Sequence, residues 1–183
     1  MAKLRKWTAY RTIERPYTRY SKVRKKAFVK SRPGKKIIKF DMGDLKNGDK
    51  QFPLTLKLVS KDAAQIRTNA IEAGRVSALK LLEKSFGRGG FYFRIKAVPH
   101  HSIRENALAA GAGADRLSTG MKHSFGKIIG TAAQVEIGKE IMTVSGPLNS
   151  DSVMRTALKR ASQKLPIRTT IVAETRKEDK VEE

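Results

Sequence analysis

The sequence has 183 residues and a formal net charge of +22, from 39 Lys or Arg against 17 Asp or Glu. A chain of this length forms one domain with its own core, and this much positive charge repels itself unless a polyanion neutralises it. Nucleic acid is therefore the predicted partner. The chain has no cysteine for disulfides or thiolate metal sites, no apolar run of ~20 residues to span a bilayer, and no apolar signal core at its N-terminus. A cytoplasmic protein is predicted.

The first 40 residues form a basic segment with fifteen Lys or Arg and a single acid, Glu14. Its aromatic residues are interleaved with this charge: Trp7, Tyr10, Tyr17, Tyr20 and Phe28. No apolar periodicity persists, so the segment on its own buries too little surface to offset its ordering entropy. It is either a loose tail or an arm that becomes ordered on RNA, with cations on phosphates and rings on bases or sugars. The rings favour the arm.

Two strands and a long helix follow the arm. KKIIKFDMG, from Lys35, is rich in β-formers, and residues 52–59 alternate between apolar and polar as a half-buried strand does. Asp62 and Gln65 have the spacing of a capping box, which predicts a helix from there to a stop at Gly87. The predicted apolar stripe comprises Ile66, Ala70, Ala73, Val76, Leu79 and Leu82. Gly74 indicates a close backbone approach. The outer face, with Arg67, Arg75, Lys80 and Lys84, is either solvated or phosphate-facing.

The second half repeats the alternation of strands and a helix. A strand, FYFRIKAVP, is predicted from Phe91, followed by a long polar connection. Strands are then predicted at 131–137 and 140–144, joined by a Gly138-Lys139 turn, and at 167–173. A helix is predicted over 149–165. Its apolar stripe comprises Val153, Met154, Ala157, Leu158, Ala161 and Leu165, and its outward cations are Arg155, Lys159, Arg160 and Lys164.

This order of elements predicts an α+β fold: a two-layer sandwich with a mixed, mostly antiparallel sheet covered by two helices. A basic N-terminal arm over 1–34 precedes the domain at 35–174. The domain contains an extended loop at 100–127, and a charged tail at 175–183 follows.

The loop from Ala112 to Lys127, AGADRLSTGMKHSFGK, has the composition of a phosphate-contacting segment. Its glycines let backbone N–H groups approach an anion, and Arg116, Lys122 and Lys127 supply charge. It is not a nucleotide-binding P-loop, because five residues rather than four separate its last two glycines and Ile128 replaces the magnesium-binding Ser or Thr. The loop therefore suits RNA.

Other catalytic patterns are weak. His100, His101 and His123 could share a metal in principle, but adjacent histidines rarely ligate one ion, so a phosphate or base contact or solvent exposure is predicted. No dinucleotide fingerprint, G-x-S-x-G or paired-carboxylate arrangement is present. No cofactor or metal is predicted. Two alternatives stay open at this point: an RNA-processing enzyme with His100 or His101 as acid–base, and a DNA-architectural protein.

The same loop carries a resemblance to a known family. AGADRLSTGMKHSFGK and the following GTAAQVEIGKEIM closely resemble the large-subunit ribosomal protein "ten-e" family, the archaeal and eukaryotic counterpart of the bacterial large-subunit protein "sixteen". PYTRY from Pro16, RPGKKIIKFDMG from Arg32, QFPL from Gln51 and FYFRIKAVPHHSIREN from Phe91 extend it over nearly the whole chain. The short C-terminus is similar to archaeal members.

The resemblance implies a non-enzymatic protein of the large ribosomal subunit that binds large-subunit rRNA. It lines the corridor of aminoacyl-tRNA near the peptidyl-transferase centre and supports late subunit assembly. The small rRNA of the central protuberance and neighbouring ribosomal proteins are further expected partners. The predicted rRNA-binding residues are Arg5, Lys6, Arg11, Arg15, Arg19, Lys22, Arg24, Lys25, Lys26, Arg32, Arg88, Arg116, Lys122, His123 and Lys127. The segment 100–111 is expected to be mobile in free protein and to approach tRNA, and the predicted tRNA-proximal residues are His100, His101, Arg104 and Asn106.

Overall fold

The computed structural model describes residues 7–13, 15–26, 29, 33–34, 36–106, 111, 113 and 126–175. The helices are α1 (Thr8–Arg11), α2 (Thr68–Phe86) and α3 (Asp151–Ser162). The strands are β1 (Asp41–Gly43), β2 (Leu54–Ser60), β3 (Ala64–Arg67), β4 (Tyr92–Ile95), β5 (His101–Glu105), β6 (Lys127–Val135), β7 (Glu140–Gly146) and β8 (Thr169–Thr175). Short 3-10 turns lie at Arg24–Lys26, Gly48–Gln51 and Leu148–Ser150. None of the described helices is long and apolar enough to cross a membrane.

The described strands form two antiparallel sheets. Five strands lie in the order β1-β4-β7-β2-β8 and three in the order β3-β6-β5. Helices α2 and α3 pack on each other and contribute Ile71, Ala78, Leu82, Met154 and Leu158 to the core. The predicted α+β class, with two helices packed on mostly antiparallel strands, is confirmed. The division into two sheets is an addition to that prediction.

The predictions are confirmed for segments whose sequence fits only one periodicity or turn type. Strand β2 buries Leu54, Leu56 and Leu58 and turns Thr55 and Lys57 to its other face. Helix α3 buries four residues of its predicted stripe, Met154, Ala157, Leu158 and Ala161, and exposes the predicted cations Arg155, Lys159 and Arg160. Lys164, also predicted to face outward, is exposed just after the helix ends at Ser162. A left-handed Gly138, at φ +80°, makes the turn between β6 and β7. Side-chain periodicity and turn chemistry therefore suffice for these elements.

The predicted start of the long helix is wrong. Residues Ala64–Arg67 are strand β3, paired with β6, and α2 begins at Thr68. Asp62 makes no capping box: its carboxylate accepts the backbone N–H of Arg168 at 3.0 Å and the guanidinium at 2.7 Å. AQIR satisfies both a period of two and a helical period, and pairing with a strand more than 60 residues away decides between them.

The predicted stripe of α2 is also displaced. The buried residues of α2 are Thr68, Ile71, Gly74, Arg75, Ala78 and Leu82, whereas Ala73 is exposed. Arg75, predicted on the outer face, is buried because its guanidinium donates to both Glu72 carboxylate oxygens, at 2.9 and 2.6 Å. The close approach at Gly74 is confirmed: an added Cβ would lie 3.2 Å from the Met142 methyl.

Part of the predicted connection is a strand. His101–Glu105 forms β5, and its partner β6 begins at Lys127, four residues before the predicted Thr131. The sequence HSIRE has a single aliphatic residue, Ile103, so its local pattern contains no strand signal. The pairing of β5 with β6 provides the stabilisation that the segment lacks on its own. Within the predicted connection, His101–Glu105 is therefore a paired strand, and the mobility of 100–111 in free protein stays a prediction.

Candidate nucleic-acid interface

The described part of the N-terminal arm is docked on the three-stranded sheet. At the β3 side, the amide of Gln65 donates to the carbonyl of Thr12 at 2.7 Å. At the β5 side, the Ser102 N–H donates to the carbonyl of Tyr17 at 3.1 Å, and the hydroxyls of Tyr20 and Ser102 are 2.6 Å apart. Since β3 and β5 are the two edges of this sheet, the arm reaches from one edge to the other.

His101 is a structural link between the arm and β5. The backbone N–H of Tyr17 donates to its Nδ1 at 2.9 Å, and the two rings lie 5.8 Å apart. An Nδ1 that accepts a hydrogen bond carries no proton, so the imidazole is neutral with its hydrogen on Nε2. His101 is only 8% exposed, whereas the neighbouring His100 is exposed. The two adjacent histidines therefore have different environments.

Arg104 stacks on the arm. Its guanidinium carbon lies 3.9 Å from the centre of the Tyr17 ring, which is cation–π geometry. Partial burial lowers the pKa of Arg104 from its ordinary value, although an arginine remains charged at neutral pH. The ring and the guanidinium together place a cation at the end of β5 where the loop begins.

The two ends of the loop meet at the end of the β5–β6 pair. Glu105 is the register partner of Lys127, and a bulge in β6 lies next to Arg104. Gly126 packs directly on the opposing backbone: an added Cβ would lie 2.5 Å from the Asn106 nitrogen and 2.5 Å from the Glu105 carbonyl oxygen. The loop base is therefore narrow and accommodates only glycine at 126.

Asn106 has an unsatisfied donor at this base. Its Nδ2 is buried and has no hydrogen-bond partner among the described residues. A buried donor without an acceptor costs about 1–3 kcal/mol, and such groups are rare in native proteins. An acceptor supplied by a binding partner would remove this cost.

The predicted cations divide by location. Those that the structure exposes on the arm are Arg11, Arg15, Arg19, Lys22, Lys25 and Lys26. Lys127 is exposed at the loop base, and Arg88 is exposed beyond the C-terminus of α2, without a described contact to the arm. Arg24 lies in a 3-10 turn. Arg5, Lys6, Arg32, Arg116, Lys122 and His123 lie outside the described residues, as does the tail from 176.

The open face of the five-stranded sheet has the opposite character. Its cations are paired with acids: Lys57 with Glu140 and Glu174, Lys96 with Glu140, and Arg94 with Asp41. Hydrogen bonds to Glu174 and Glu140 raise the pKa of Lys57. The sequence analysis did not predict this neutral face, because the partners lie on different strands. The excess positive charge therefore lies on other parts of the surface, which include the arm.

Exposed Lys and Arg residues clustered on the arm are the electrostatic footprint of a nucleic-acid-binding protein. The family model "Ribosomal protein L16p/L10e" matches residues 16–172, and the chain belongs to this family. It is 42% identical to the large ribosomal subunit protein uL16 of Archaeoglobus fulgidus over 90% of both chains. It is 43% identical to the uL16 protein of Methanococcus maripaludis over 96% of both chains. It is 40% identical to the uL16 protein of Methanoculleus marisnigri, over 88% of this chain and 96% of the relative.

Membership in this family confirms several predictions at once. The protein is a structural component of the large ribosomal subunit, of archaeal type, and takes part in translation in the cytoplasm. It is not an enzyme. Its partners are therefore rRNA and other ribosomal proteins, and both alternatives left open by the sequence, the RNA-processing enzyme and the DNA-architectural protein, are excluded.

Proposed function

We propose that the docked arm and the loop from Ala112 to Lys127 hold large-subunit rRNA, while the start of the same connection approaches tRNA in the aminoacyl-tRNA corridor. The observation that carries this proposal is the loop base. The strands β5 and β6 bring Glu105 opposite Lys127, and the arm is bonded to β5 through Tyr17 and Tyr20. The arm, β5, β6 and both ends of the loop are therefore bonded into one unit, the loop mount.

Two features of the loop mount support RNA as its partner. Arg104, stacked on Tyr17, presents a cation that the domain itself orients. The Nδ2 of Asn106 is a donor without an acceptor in the described part of the protein, and phosphate or base oxygens are acceptors. Arg104 lies close to the first residues of the loop, so a nucleic acid that follows the loop would contact its guanidinium.

The charged residues of the loop are tested by the salt dependence of RNA binding. Replacing Arg116, Lys122 and Lys127 with Ala should lower the slope of log affinity against log salt by roughly one unit for each phosphate that is no longer neutralised. A matched control replaces three exposed cations of the α3 region: Lys159, Arg160 and Lys164. Large-subunit rRNA fragments are the ligand, and the control should keep the wild-type slope. Equal slopes for the loop variant and wild type would contradict the proposal.

The approach to tRNA is tested by directed cleavage. The chain has no cysteine, so Ala109→Cys gives a single attachment point for a radical-generating iron chelate in 100–111, the part of the loop that is proposed to approach tRNA. Ser152→Cys, exposed on α3, is the control. In reconstituted large subunits the loop probe should cleave bound tRNA and the α3 probe should not. Cleavage of rRNA without any cleavage of tRNA by the loop probe would leave the rRNA role intact and refute the tRNA role.

A further inference from the structure

The aromatic rings of the arm have different environments. Tyr17 and Tyr20 are engaged by β5, as described above. Tyr10 and Trp7 pack on each other, with ring centres 6.5 Å apart. Trp7 remains 41% exposed and, within the described structure, its indole makes no hydrogen bond. A large exposed ring in a basic arm is a surface on which a planar ligand can stack.

Trp7 borders a cleft of about 750 Å³ between the arm and the segment that leads into β8. This volume is within the usual range of small-ligand sites, roughly 300–1,000 Å³. The floor is apolar and comprises Ala63, Leu165, Pro166 and Ile167. Leu165 and Ile167 are nearly buried, at 8% and 7% exposure, whereas Ile137 at the rim is 71% exposed. The cleft therefore has an apolar floor and an aromatic wall.

The charged groups of the cleft are two arginines, Arg11 and Arg168, and one carboxylate, Asp62. Arg11 lies one helical turn after Trp7, since its N–H bonds to the Trp7 carbonyl at 3.1 Å, and residues at this spacing share a helix face. Arg11 has no partner among the described residues. Arg168 is 81% exposed and forms an ion pair with Asp62, which it neutralises. The net charge of the cleft is therefore positive.

We propose that this cleft binds one unpaired RNA nucleotide, with its base stacked on Trp7 and its phosphate on Arg11. An indole beside a guanidinium is the combination that recognises an exposed nucleotide in single-stranded RNA. A nucleotide is favoured over a protein segment because the cleft has a net positive charge in a chain of net charge +22, and a polyanion neutralises such charge. The inference rests on the proposed RNA binding but adds a defined site, on the side of the arm that faces β8.

Trp7 is the only tryptophan of the chain, so intrinsic fluorescence reports on this cleft alone. A short oligoadenylate strand and a blunt RNA duplex with the same number of phosphates are titrated in parallel, with anisotropy of labelled RNA as the measure of binding. The single strand should quench Trp7, because its bases are free to stack. The duplex should bind through its phosphates without quenching.

Variants separate stacking from charge. Trp7→Ala should weaken binding of the single strand about 5- to 150-fold, the range for removal of one base–aromatic stack, and leave duplex binding unchanged. Arg11→Gln should weaken single-strand binding more than the matched charge removal Lys159→Gln on α3. Trp7 is exposed, so circular dichroism of its Ala variant should match wild type.

Three outcomes would overturn the proposal. The first is equal quenching by the two RNAs, and the second is full single-strand affinity in the Trp7→Ala variant. The third is quenching by a neighbouring ribosomal protein in place of RNA. Absence of RNA binding in both anisotropy titrations would instead refute the proposed function itself, so the two failures are distinguishable.

Discussion

Gly126 gives the most direct test of the loop base. A Cβ at this position would lie 2.5 Å from the Asn106 nitrogen and from the Glu105 carbonyl oxygen, and Cβ atoms essentially never approach a neighbour closer than 3.0 Å. The opposing backbone would have to move by at least half an ångström, and backbone cannot rotate away as a side chain can. Overpacking of this kind typically costs about 1–3 kcal/mol. We therefore expect Gly126→Ala to lower the free energy of unfolding by this amount.

Gly130 is the matched control. It lies in the same strand, β6, opposite Ile103, and a Cβ added there meets nothing within 4 Å. Alanine at a compatible glycine position stabilises a protein by about 0.4–1 kcal/mol, because it restricts the unfolded chain. Gly130→Ala should therefore leave stability unchanged or slightly raised. Urea unfolding followed by circular dichroism measures both variants.

The functional consequence separates the loop base from general stability. Gly126→Ala should weaken binding of large-subunit rRNA fragments under conditions where the variant is fully folded. The reason is that displacement of the backbone at the two ends of the loop changes the direction in which the loop leaves the domain. Gly130→Ala should bind as wild type does. The reasoning is refuted if both variants unfold at the same urea concentration, or if Gly126→Ala binds RNA with unchanged affinity.

The remaining predictions concern individual contacts. Tyr20→Phe removes the hydroxyl bond to β5 and should cost about 0.5–1.5 kcal/mol in urea unfolding; no decrease would mean that the arm is not docked. Asn106→Leu removes an unsatisfied buried donor, so the free protein should unfold at higher urea, and a destabilised variant would contradict this. The hydrogen bond from Arg75 lowers the pKa of Glu72, so its contribution is complete above the ordinary glutamate pKa and is lost as pH falls below it. Glu72→Gln should cost about 1–3 kcal/mol near neutral pH and flatten the fall of the urea midpoint on acidification. Glu136→Gln, whose side chain is 80% exposed at the turn between β6 and β7, should change neither.

How far the sequence predicted the fold depends on how local the deciding interaction is. Helix α3 and strand β2 were predicted well because a single periodicity fits each of them. The sequence of β3, AQIR, fits both a strand and a helix periodicity, and that of β5, HSIRE, fits almost none. Pairing with β6 therefore determines that both segments are strands. Arg75 is buried because of one carboxylate, on Glu72. A rule that places arginine at the surface cannot anticipate that pair.

The candidate site shows the same division. The loop was predicted from composition, and its resemblance to a ribosomal family was confirmed by family membership. The contacts of Tyr17 and Tyr20 with residues of β5 span more than 80 positions, and no local pattern links them. The arm was expected to become ordered on RNA, whereas its described part is already bonded to the domain. Its aromatic residues, interpreted as base-stacking groups, include two that hold the arm in place.

The central claim is that the loop attaches this protein to the large subunit. The most direct test expresses the variant with Ala at 116, 122 and 127 beside the α3 variant with Ala at 159, 160 and 164, and follows each through a sucrose gradient of cell extract. Both variants have three fewer cations, so general electrostatic attraction falls equally. The account predicts that the loop variant leaves the large-subunit fractions and collects at the top of the gradient, while the α3 variant remains with the subunits. Equal retention of both variants in the large-subunit fractions would contradict it.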